Sequence, residues 1–160
     1  MISAPLLPIS SSPRKVTLRE AALEDLPAVV AMGQQFLQST SYRDLISENP
    51  VQMTAMATLL IDSSTGLLLV AEQADELLGM IGMLVMDHPL SGERIASELF
   101  WWVDPVHRGS LGMRLLKQAE DWARAQGVVT IMLAAPDAAV GRIYERLGYR
   151  QVELAYARNL

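Results

Sequence analysis

Three successive apolar segments, separated only by short connections, limit the folds open to this chain more than any other feature. Residues 67–72, 77–86 and 95–103 have the length and the apolar and aromatic content of strands. Residues 74–76 form a turn between the first two, and residues 87–93 form a loop between the last two. Sequential strands usually lie beside one another, so these segments predict the centre of one sheet.

Helix and strand patterns alternate on either side of this centre. The predicted elements are a strand at 16–20, helices at 23–37 and 50–61, the three strands, a helix from 109 or 110 to 126, a strand at 128–134, a helix at 138–147 and a strand at 149–157. Their order is β-α-α-β-β-β-α-β-α-β. One α/β (α+β) domain with a mixed sheet flanked by helices is therefore predicted over residues 15–160, after a flexible, proline-broken lead-in at residues 1–14.

Composition narrows the class of protein. The chain has 160 residues, of which 51% are hydrophobic and 19% charged, as expected for a compact globular protein. It contains no cysteine, which excludes disulfides, thiolate catalysis and thiolate metal sites. Since His88 and His107 are the only histidines, no metal site is predicted.

Charge and hydropathy limit the partners. The net charge of −5 argues against a nucleic-acid partner, which normally requires a basic surface. The apolar run at residues 77–86 is far shorter than the roughly 20 residues of a membrane span. The N-terminal stretch lacks the basic start and unbroken apolar run of a signal peptide, so a cytoplasmic protein is predicted.

Opposite charges are concentrated in neighbouring segments. Residues 72–104 carry seven acids and one base, whereas residues 105–119 carry three bases and no acid. Two solvated faces would give this pattern. A cationic ligand at the acidic segment and an anionic ligand at the basic segment would give it as well.

The basic segment begins with a glycine-containing loop in front of a helix. Gly109 and Gly112 allow a ligand to approach the backbone closely, and the first N–H groups of the helix have no partner inside it. These donors suit a phosphate, and His107, Arg108 and Arg114 add charge nearby. The spacing fits neither a Walker loop nor a dinucleotide-binding GxGxxG, and an ordinary turn would use the same glycines.

Residues 99–116, LFWWVDPVHRGSLGMRLL, resemble the acetyl-CoA motif of the GCN5-related N-acetyltransferase (GNAT) family. In that motif a strand ending in Val-Asp-Pro is followed by Gln/Arg-x-x-Gly-x-Gly/Ala and a helix with a leucine pair. Aligned on Gly112, this chain has His107 at the Gln/Arg position and Ser110 at the first glycine. Ser110 still offers an N–H and a hydroxyl, and Arg108 can stand in for the missing guanidinium.

Two further segments match the family in the expected order. Residues 137–149 resemble Asn-x6-Tyr-Glu-Lys-x-Gly-Phe, with Asp137 in place of the asparagine. Residues 18–19 and 24–26, Leu-Arg and Glu-Asp-Leu, resemble the usual opening of the family. Because the matches cover nearly the whole chain, the resemblance implies a GNAT-like domain with a mixed, mostly antiparallel, twisted sheet.

The resemblance implies acetyl-CoA as the co-substrate. The pyrophosphate is expected on the backbone of residues 108–113, and the pantetheine arm along the strand that ends at Val103, where a nearby N–H would hold the thioester oxygen. The predicted co-substrate residues are Trp102, Val103, His107, Arg108, Gly109, Ser110, Leu111, Gly112, Met113, Arg114 and Asp137. Core packing is a simpler role for at least one of the two tryptophans of this strand.

Glu98 interrupts an apolar strand and is a candidate general base. An unpaired buried carboxylate is costly, so Glu98 must reach solvent, pair with a cation such as Arg94, or act in the site. Strand alternation places it on the face of Trp102. His88 and Glu93, in the preceding loop, rank lower as bases.

Tyr144 occupies the position of the family's general acid, which gives a proton to the departing thiolate. By helical spacing alone, Val140, Ile143 and Leu147 define the buried face, and Tyr144 lies at its edge. That spacing favours a core residue, whereas the resemblance assigns Tyr144 a catalytic role.

These assignments predict an N-acetyltransferase that moves an acetyl group from acetyl-CoA to a primary amine by direct attack in a ternary complex. The acidic segment is expected to attract a cationic small or peptidyl amine. The departures at His107 and Ser110 leave a catalytically weak or inactive acyl-CoA-binding regulatory module as the alternative. An aminoacyl-tRNA-acetylating toxin is disfavoured by the acidic charge. No membrane partner is expected, and the acceptor and a homodimer are left open.

Overall fold

The computed structural model describes residues 15–160, and the strands of this part of the chain form one sheet. Across the sheet they are β1 (Thr17–Glu20), β2 (Gly66–Gln73), β3 (Glu76–Asp87), β4 (Arg94–Val103) and β5 (Thr130–Met132). β1 to β4 pair antiparallel, and β5 lies parallel to β4. The mixed, mostly antiparallel sheet is thereby confirmed. The predicted lead-in at residues 1–14 lies outside the described residues.

Helices cover both faces of the sheet. They are α1 (Leu26–Gln38), α2 (Pro50–Asp62), α3 (Ser110–Ala125) and α4 (Ala138–Arg146), with short 3-10 turns at Leu23–Asp25, Ser41–Asp44 and Pro105–His107. Asn49 caps α2 by accepting the Gln52 N–H, directly before a proline at the first helical position. Gly127 and Gly148, both with positive φ, follow the ends of α3 and α4. Between residues 15 and 160, no helix combines the length and apolarity that crossing a membrane requires.

The two faces of the sheet carry separate hydrophobic clusters. α1 and α2 pack on one face, in a cluster that includes Trp102, and α3 packs on the other, in a cluster that includes Val103. Arg19 ties the start of α1 to the sheet, since its guanidinium lies 2.7 Å from the Asp25 carboxylate and 2.6 Å from the Glu72 carboxylate. The elements that surround the site therefore rest on a two-sided core.

A β-bulge in β4 corrects the predicted faces of this strand. Gly82 of β3 pairs with Phe100 and Met83 pairs with Glu98, so Leu99 is an extra residue of β4 without a partner in β3. One extra residue reverses the alternation beyond it. Glu98 pairs with Met83, a member of the α3-side cluster, and so lies on the face of Trp101. The prediction that Glu98 shares the face of Trp102 was wrong.

The predicted strand at residues 149–157 was also wrong. These residues belong to no strand of the structure, although Val152, Leu154 and Tyr156 alternate as in a half-buried strand. All three side chains are exposed. β5 has only three residues, fewer than the predicted 128–134, and so presents a short edge for pairing. The order of elements is confirmed up to α4.

The buried face of α4 differs from the prediction as well. Ile143 and Leu147 are exposed, and Tyr144 is the buried residue of this helix. With residues 149–157 outside the sheet, no strand there covers Ile143 and Leu147. Helical spacing alone therefore selected the wrong face.

Candidate functional site

The N-terminus of α3 has the backbone geometry of an anion site. Gly109 precedes the helix with φ +98°, a conformation that favours glycine. The Met113 N–H donates to the Gly109 O at 3.3 Å and so starts the helical hydrogen bonds. The N–H groups of residues 110–112 come before this bond, and helix geometry gives them no acceptor within the helix. They can therefore donate to a ligand.

Gly112 allows α3 to lie against β4. A Cβ atom at this position would stand 3.3 Å from the indole of Trp101. Gly112 was predicted to allow the close approach of a ligand, and in the structure the group that approaches it is the Trp101 side chain. The glycine thus brings the helix N-terminus and the strand into contact.

The basic side chains near the loop lie in different directions. Arg108 stays beside the loop because its guanidinium binds a carbonyl at the end of β4, whereas Arg114 lies beside β1. The contacts are Arg108 Nε to Val103 O at 3.2 Å, His107 Nδ1 to Asp104 Oδ1 at 3.5 Å, and Arg114 Nη2 to Val16 O at 3.0 Å. Arg108 therefore stays beside the loop and the end of β4, whereas Arg114 is held at β1.

β4 and β5 separate at Glu98. Their parallel pairing joins residues 95–97 to residues 130–132. From Glu98 to Val103, the β5-side edge of β4 has no strand paired to it within the part of the chain that the structure describes. Backbone donors and acceptors along this edge are available to an extended ligand. The predicted path of the pantetheine arm follows it.

Glu98 bridges the two strands at the point where they separate. Its Oε2 accepts the Ala134 N–H at 3.0 Å. Arg94, which the sequence suggested as a partner, donates to the Gln126 O instead. Burial raises the pKa of the Glu98 carboxyl to about 7, and the hydrogen bond from Ala134 opposes that rise. Glu98 can therefore gain and lose a proton near neutral pH, as a general base must.

Tyr144 lies at the carbonyl of the same residue. Its O–H donates to the Ala134 O at 3.4 Å, and its ring stacks on Trp101 with centroids 6.1 Å apart and planes inclined by 11°. Burial, and to a lesser degree the Glu98 carboxylate, raises the pKa of the Tyr144 phenol above its ordinary value. Tyr144 therefore stays protonated at neutral pH, which is the state that a proton donor requires.

Ala134 was not predicted as a site residue. Its N–H contacts Glu98 and its C=O contacts Tyr144, so one residue joins the two candidate catalytic groups. Every residue type except proline supplies the same two backbone groups. No side-chain pattern in the sequence could have identified it.

Four further predicted residues make contacts outside this pair. His88 and Glu93 belong to the β3–β4 loop, where both contact Ser91. Trp102 is buried on the face covered by α1 and α2, which confirms a core role for one of the two tryptophans. Asp137 caps α4 by accepting two N–H groups of its first turn at 2.8 and 2.9 Å.

Acidic side chains are concentrated near the end of β4 opposite the bulge. A cavity of about 430 Å³ beside α1 and the β2–β3 turn is lined by the carboxylates of Glu24, Asp25, Glu72, Asp75, Glu76 and Asp104. Two of them, Asp25 and Glu72, share the single positive charge of Arg19. Over residues 15–160, the structure holds no group of three His, Asp or Glu side chains that could bind a metal ion.

A protein-family model matches most of this chain in sequence. The family model described as "Acetyltransferase (GNAT) family" matches residues 35–149. The matched segment includes the α3 loop, Glu98 and Tyr144. No curated protein matches the chain in sequence.

Solved structures resemble the fold over most of the chain. A predicted acetyltransferase with acetyl-CoA from Clostridium acetobutylicum has a TM-score of 0.75 and 16% identity, covering 91% of this chain and 96% of that one. A ribosomal-protein-alanine N-acetyltransferase from Brucella melitensis has a TM-score of 0.69 and 18% identity, with coverages of 91% and 99%. A transcriptional regulator from Bacillus halodurans has a TM-score of 0.73 and 24% identity, with coverages of 91% and 100%. At these identities the likeness establishes the fold alone.

Proposed function

Because the chain belongs to the GNAT acetyltransferase family, we propose that it is an acetyl-CoA-dependent N-acetyltransferase that acts on a primary amine. The observation that carries the proposal is the convergence of Glu98 and Tyr144 on Ala134, where β4 and β5 separate. One group is suited to accept a proton and the other to donate one. Acetyl transfer between two bound substrates benefits from both.

The α3 N-terminus is the proposed binding site for the pyrophosphate of acetyl-CoA. The N–H groups of residues 110–112 and the positive end of the helix dipole suit this anion, and Arg108 lies alongside. Ser110 stands where the family has glycine, but it keeps the backbone N–H that the glycine would supply. The two departures from the family motif therefore leave the backbone donors in place.

The thioester is proposed to lie near the bulge in β4. A strand rises about 3.3 Å per residue, so Glu98 is roughly 17 Å from Val103 along the strand. The candidate acid and base lie at the Glu98 end, and the thioester must reach them. We assign its oxygen to the N–H of Leu99, which the bulge removes from the regular ladder, in place of an N–H near Val103.

The proposed reaction needs no covalent bond to the protein. The amine nitrogen bonds to the thioester carbon, the carbon–sulfur bond breaks, and its electron pair leaves with the sulfur. Glu98 takes the proton that the amine loses, directly or through one water, and Tyr144 gives its phenolic proton to the sulfur. Proton exchange with water then returns Glu98 to the carboxylate and Tyr144 to the phenol.

The acid–base pair favours an enzyme over a module that only binds acyl-CoA. Such a module would need the α3 loop but not a half-buried carboxyl whose pKa is raised to about 7. Burying an ionisable group costs free energy unless it is compensated. A catalytic role for Glu98 accounts for that cost, and a binding role does not.

Thiol release from acetyl-CoA, measured with a panel of amines and a blank without amine, tests the proposal. We expect amine-dependent release, with cationic amines ahead of uncharged ones because residues 72–104 carry a large excess of acids. Tyr144→Phe keeps the ring but removes the proton. It is expected to lower turnover about 100-fold, with acetyl-CoA affinity and thermal stability unchanged.

Each contrary outcome has a distinct meaning. Calorimetry without acetyl-CoA binding at millimolar concentration would refute the enzyme. Binding without turnover on any amine would support the regulatory module instead. Equal turnover of Tyr144→Phe and the wild type, with chemistry rate-limiting, would leave Tyr144 as a core residue.

A further inference from the structure

The end of α4 is built so that Tyr149 folds back onto Tyr144. Gly148 has φ +91°, its N–H donates to the Glu145 O at 3.0 Å, and the Tyr149 N–H donates to the Tyr144 O at 3.0 Å. These two bonds define a Schellman motif, in which the side chain after the glycine commonly contacts the one five residues earlier. The rings of Tyr144 and Tyr149 meet accordingly, with centroids 5.7 Å apart.

The hydroxyl of Tyr149 continues this contact to α3. It donates to Oε1 of Glu120 at 2.5 Å, and Glu120 also lies 3.3 Å from the guanidinium of Arg124. Burial, followed by the hydrogen bond to Glu120, raises the pKa of the Tyr149 phenol above its ordinary value, so it remains a donor at neutral pH. Position 149 is tyrosine in this chain, where the motif that residues 137–149 resemble has phenylalanine.

α4 depends on this connection because the rest of the helix is little buried. Tyr144 is its one buried residue, and the ring of Tyr144 contacts Trp101 of β4 as well as Tyr149. α3, in contrast, is packed into the core of the sheet. The Tyr149–Glu120 bond therefore links a lightly attached helix to a firmly attached one.

We infer that Tyr149 is a positioning residue, which holds the Tyr144 hydroxyl at the proposed reaction centre through its bond to Glu120. The inference rests on the proposed role of Tyr144 as proton donor. Proton transfer requires a heavy-atom distance of about 2.6–3.2 Å, and small misplacements in an active site lower the rate steeply. A helix docked by one aromatic cluster needs such a tie to keep that distance.

Removal of the Tyr149 hydroxyl tests the inference. Tyr149→Phe is expected to lower kcat about fivefold to tenfold, with the KM for acetyl-CoA unchanged, since only the geometry of the proton donor is altered. Glu120→Ala removes the same bond from the other side and is expected to give the same split between kcat and KM. Glu120→Gln keeps an acceptor oxygen and is expected to recover most of the rate lost in Glu120→Ala.

The double variant distinguishes positioning from a general structural role. In Tyr144→Phe there is no hydroxyl to position, so adding Tyr149→Phe is expected to cause no further loss of kcat. An additional loss of the same size would overturn the inference, and so would wild-type kcat in both Tyr149→Phe and Glu120→Ala. A wild type without amine-dependent thiol release would overturn the proposed function together with this inference. An active wild type that is insensitive to these variants would overturn this inference alone.

Discussion

Helices α3 and α4 supply the two ends of the proposed site, but they are attached to the molecule in different ways. α3 buries six residues, Leu111, Gly112, Leu115, Leu116, Ala119 and Ala123, whereas α4 buries only Tyr144. The position of α3 is therefore fixed by the core. The position of α4 is fixed by its caps and by one aromatic cluster.

The difference shows that the side chain proposed as proton donor, Tyr144, also docks the helix that carries it. The Tyr144 ring provides the packing of α4 against Trp101, while its hydroxyl is directed to the Ala134 carbonyl. The proposed phosphate-binding end of α3 has no such double role, because the proposed binding groups are backbone N–H groups and the packing is done by leucines. Substitutions in the two helices should therefore affect different properties.

The largest expected effect is on stability and separates the two helices directly. Leu115 is fully buried, so Leu115→Ala is expected to lower the free energy of unfolding by about 2–5 kcal/mol. Ile143, on α4, is 36% exposed, so Ile143→Ala is expected to cost less than about 1 kcal/mol. Urea denaturation followed by circular dichroism measures both.

Similar losses of unfolding free energy in Leu115→Ala and Ile143→Ala would contradict the contrast between α3 and α4. They would show that α4 is packed as firmly as α3, and that the face of Ile143 is covered in solution. A difference in the denaturant dependence between the variants would indicate that α4 unfolds separately from the rest.

The pattern of residues was sufficient to predict most of the fold. The continuous apolar runs of β2 and β3 are buried on both faces of the sheet, and the amphipathic α3 buries one face, as the residue pattern of each segment indicates. The α3 loop was also predictable, since Gly109 before a helix is a local signal. Whether each of these segments forms a strand, a helix or a loop is decided mainly by its own residues.

The features that the sequence did not reveal depend on contacts with other segments of the chain. The bulge at Leu99 comes from the pairing of β4 with β3, and it moves Glu98 to the other face. Residues 149–157 have the alternation of a strand, but β5 offers an edge of only three residues and they do not pair with it. Ala134 contributes only its backbone. Register, edge length and backbone position carry no local sequence signature.

A second, smaller effect is expected on the pH dependence of activity and of stability, and it arises at Glu98. Burial raises the pKa of Glu98 from 4.5 to about 7, and a general base must be ionised. We therefore expect kcat/KM to rise about tenfold from pH 6 to pH 8. Stability should change in the opposite sense. The folded state favours the protonated carboxyl, so the contribution of Glu98 to the free energy of unfolding falls as pH rises from about 4.5 to 7 and is constant above.

Glu98→Gln provides the control for this pH dependence. Without an ionisable group at position 98, both the rise in kcat/KM and the matching fall in stability are expected to disappear. An unchanged pH profile of residual activity in Glu98→Gln would assign the base to another residue. The effect arises on β4, within the core, and is expected to be independent of how α4 is docked.

The smallest expected effect concerns the start of α4. Asp137 accepts two N–H groups of the first turn, and loss of such a cap costs about 1 kcal/mol. Because Tyr144 is the one buried residue of α4, we expect the helix to open without disrupting the core. Asp137→Ala is therefore expected to raise hydrogen exchange of α4 amides about fivefold and to leave α3 amides unchanged. Asp137→Asn keeps a capping oxygen and, like the family pattern, should exchange as the wild type does.

The same pair of variants separates capping from co-substrate binding. A raised KM for acetyl-CoA in Asp137→Asn would assign the carboxylate a contact with the co-substrate, whereas a change confined to Asp137→Ala would assign it to the helix. Faster exchange in α3 as well would mean that the two helices open together, and the distinction between them would fail.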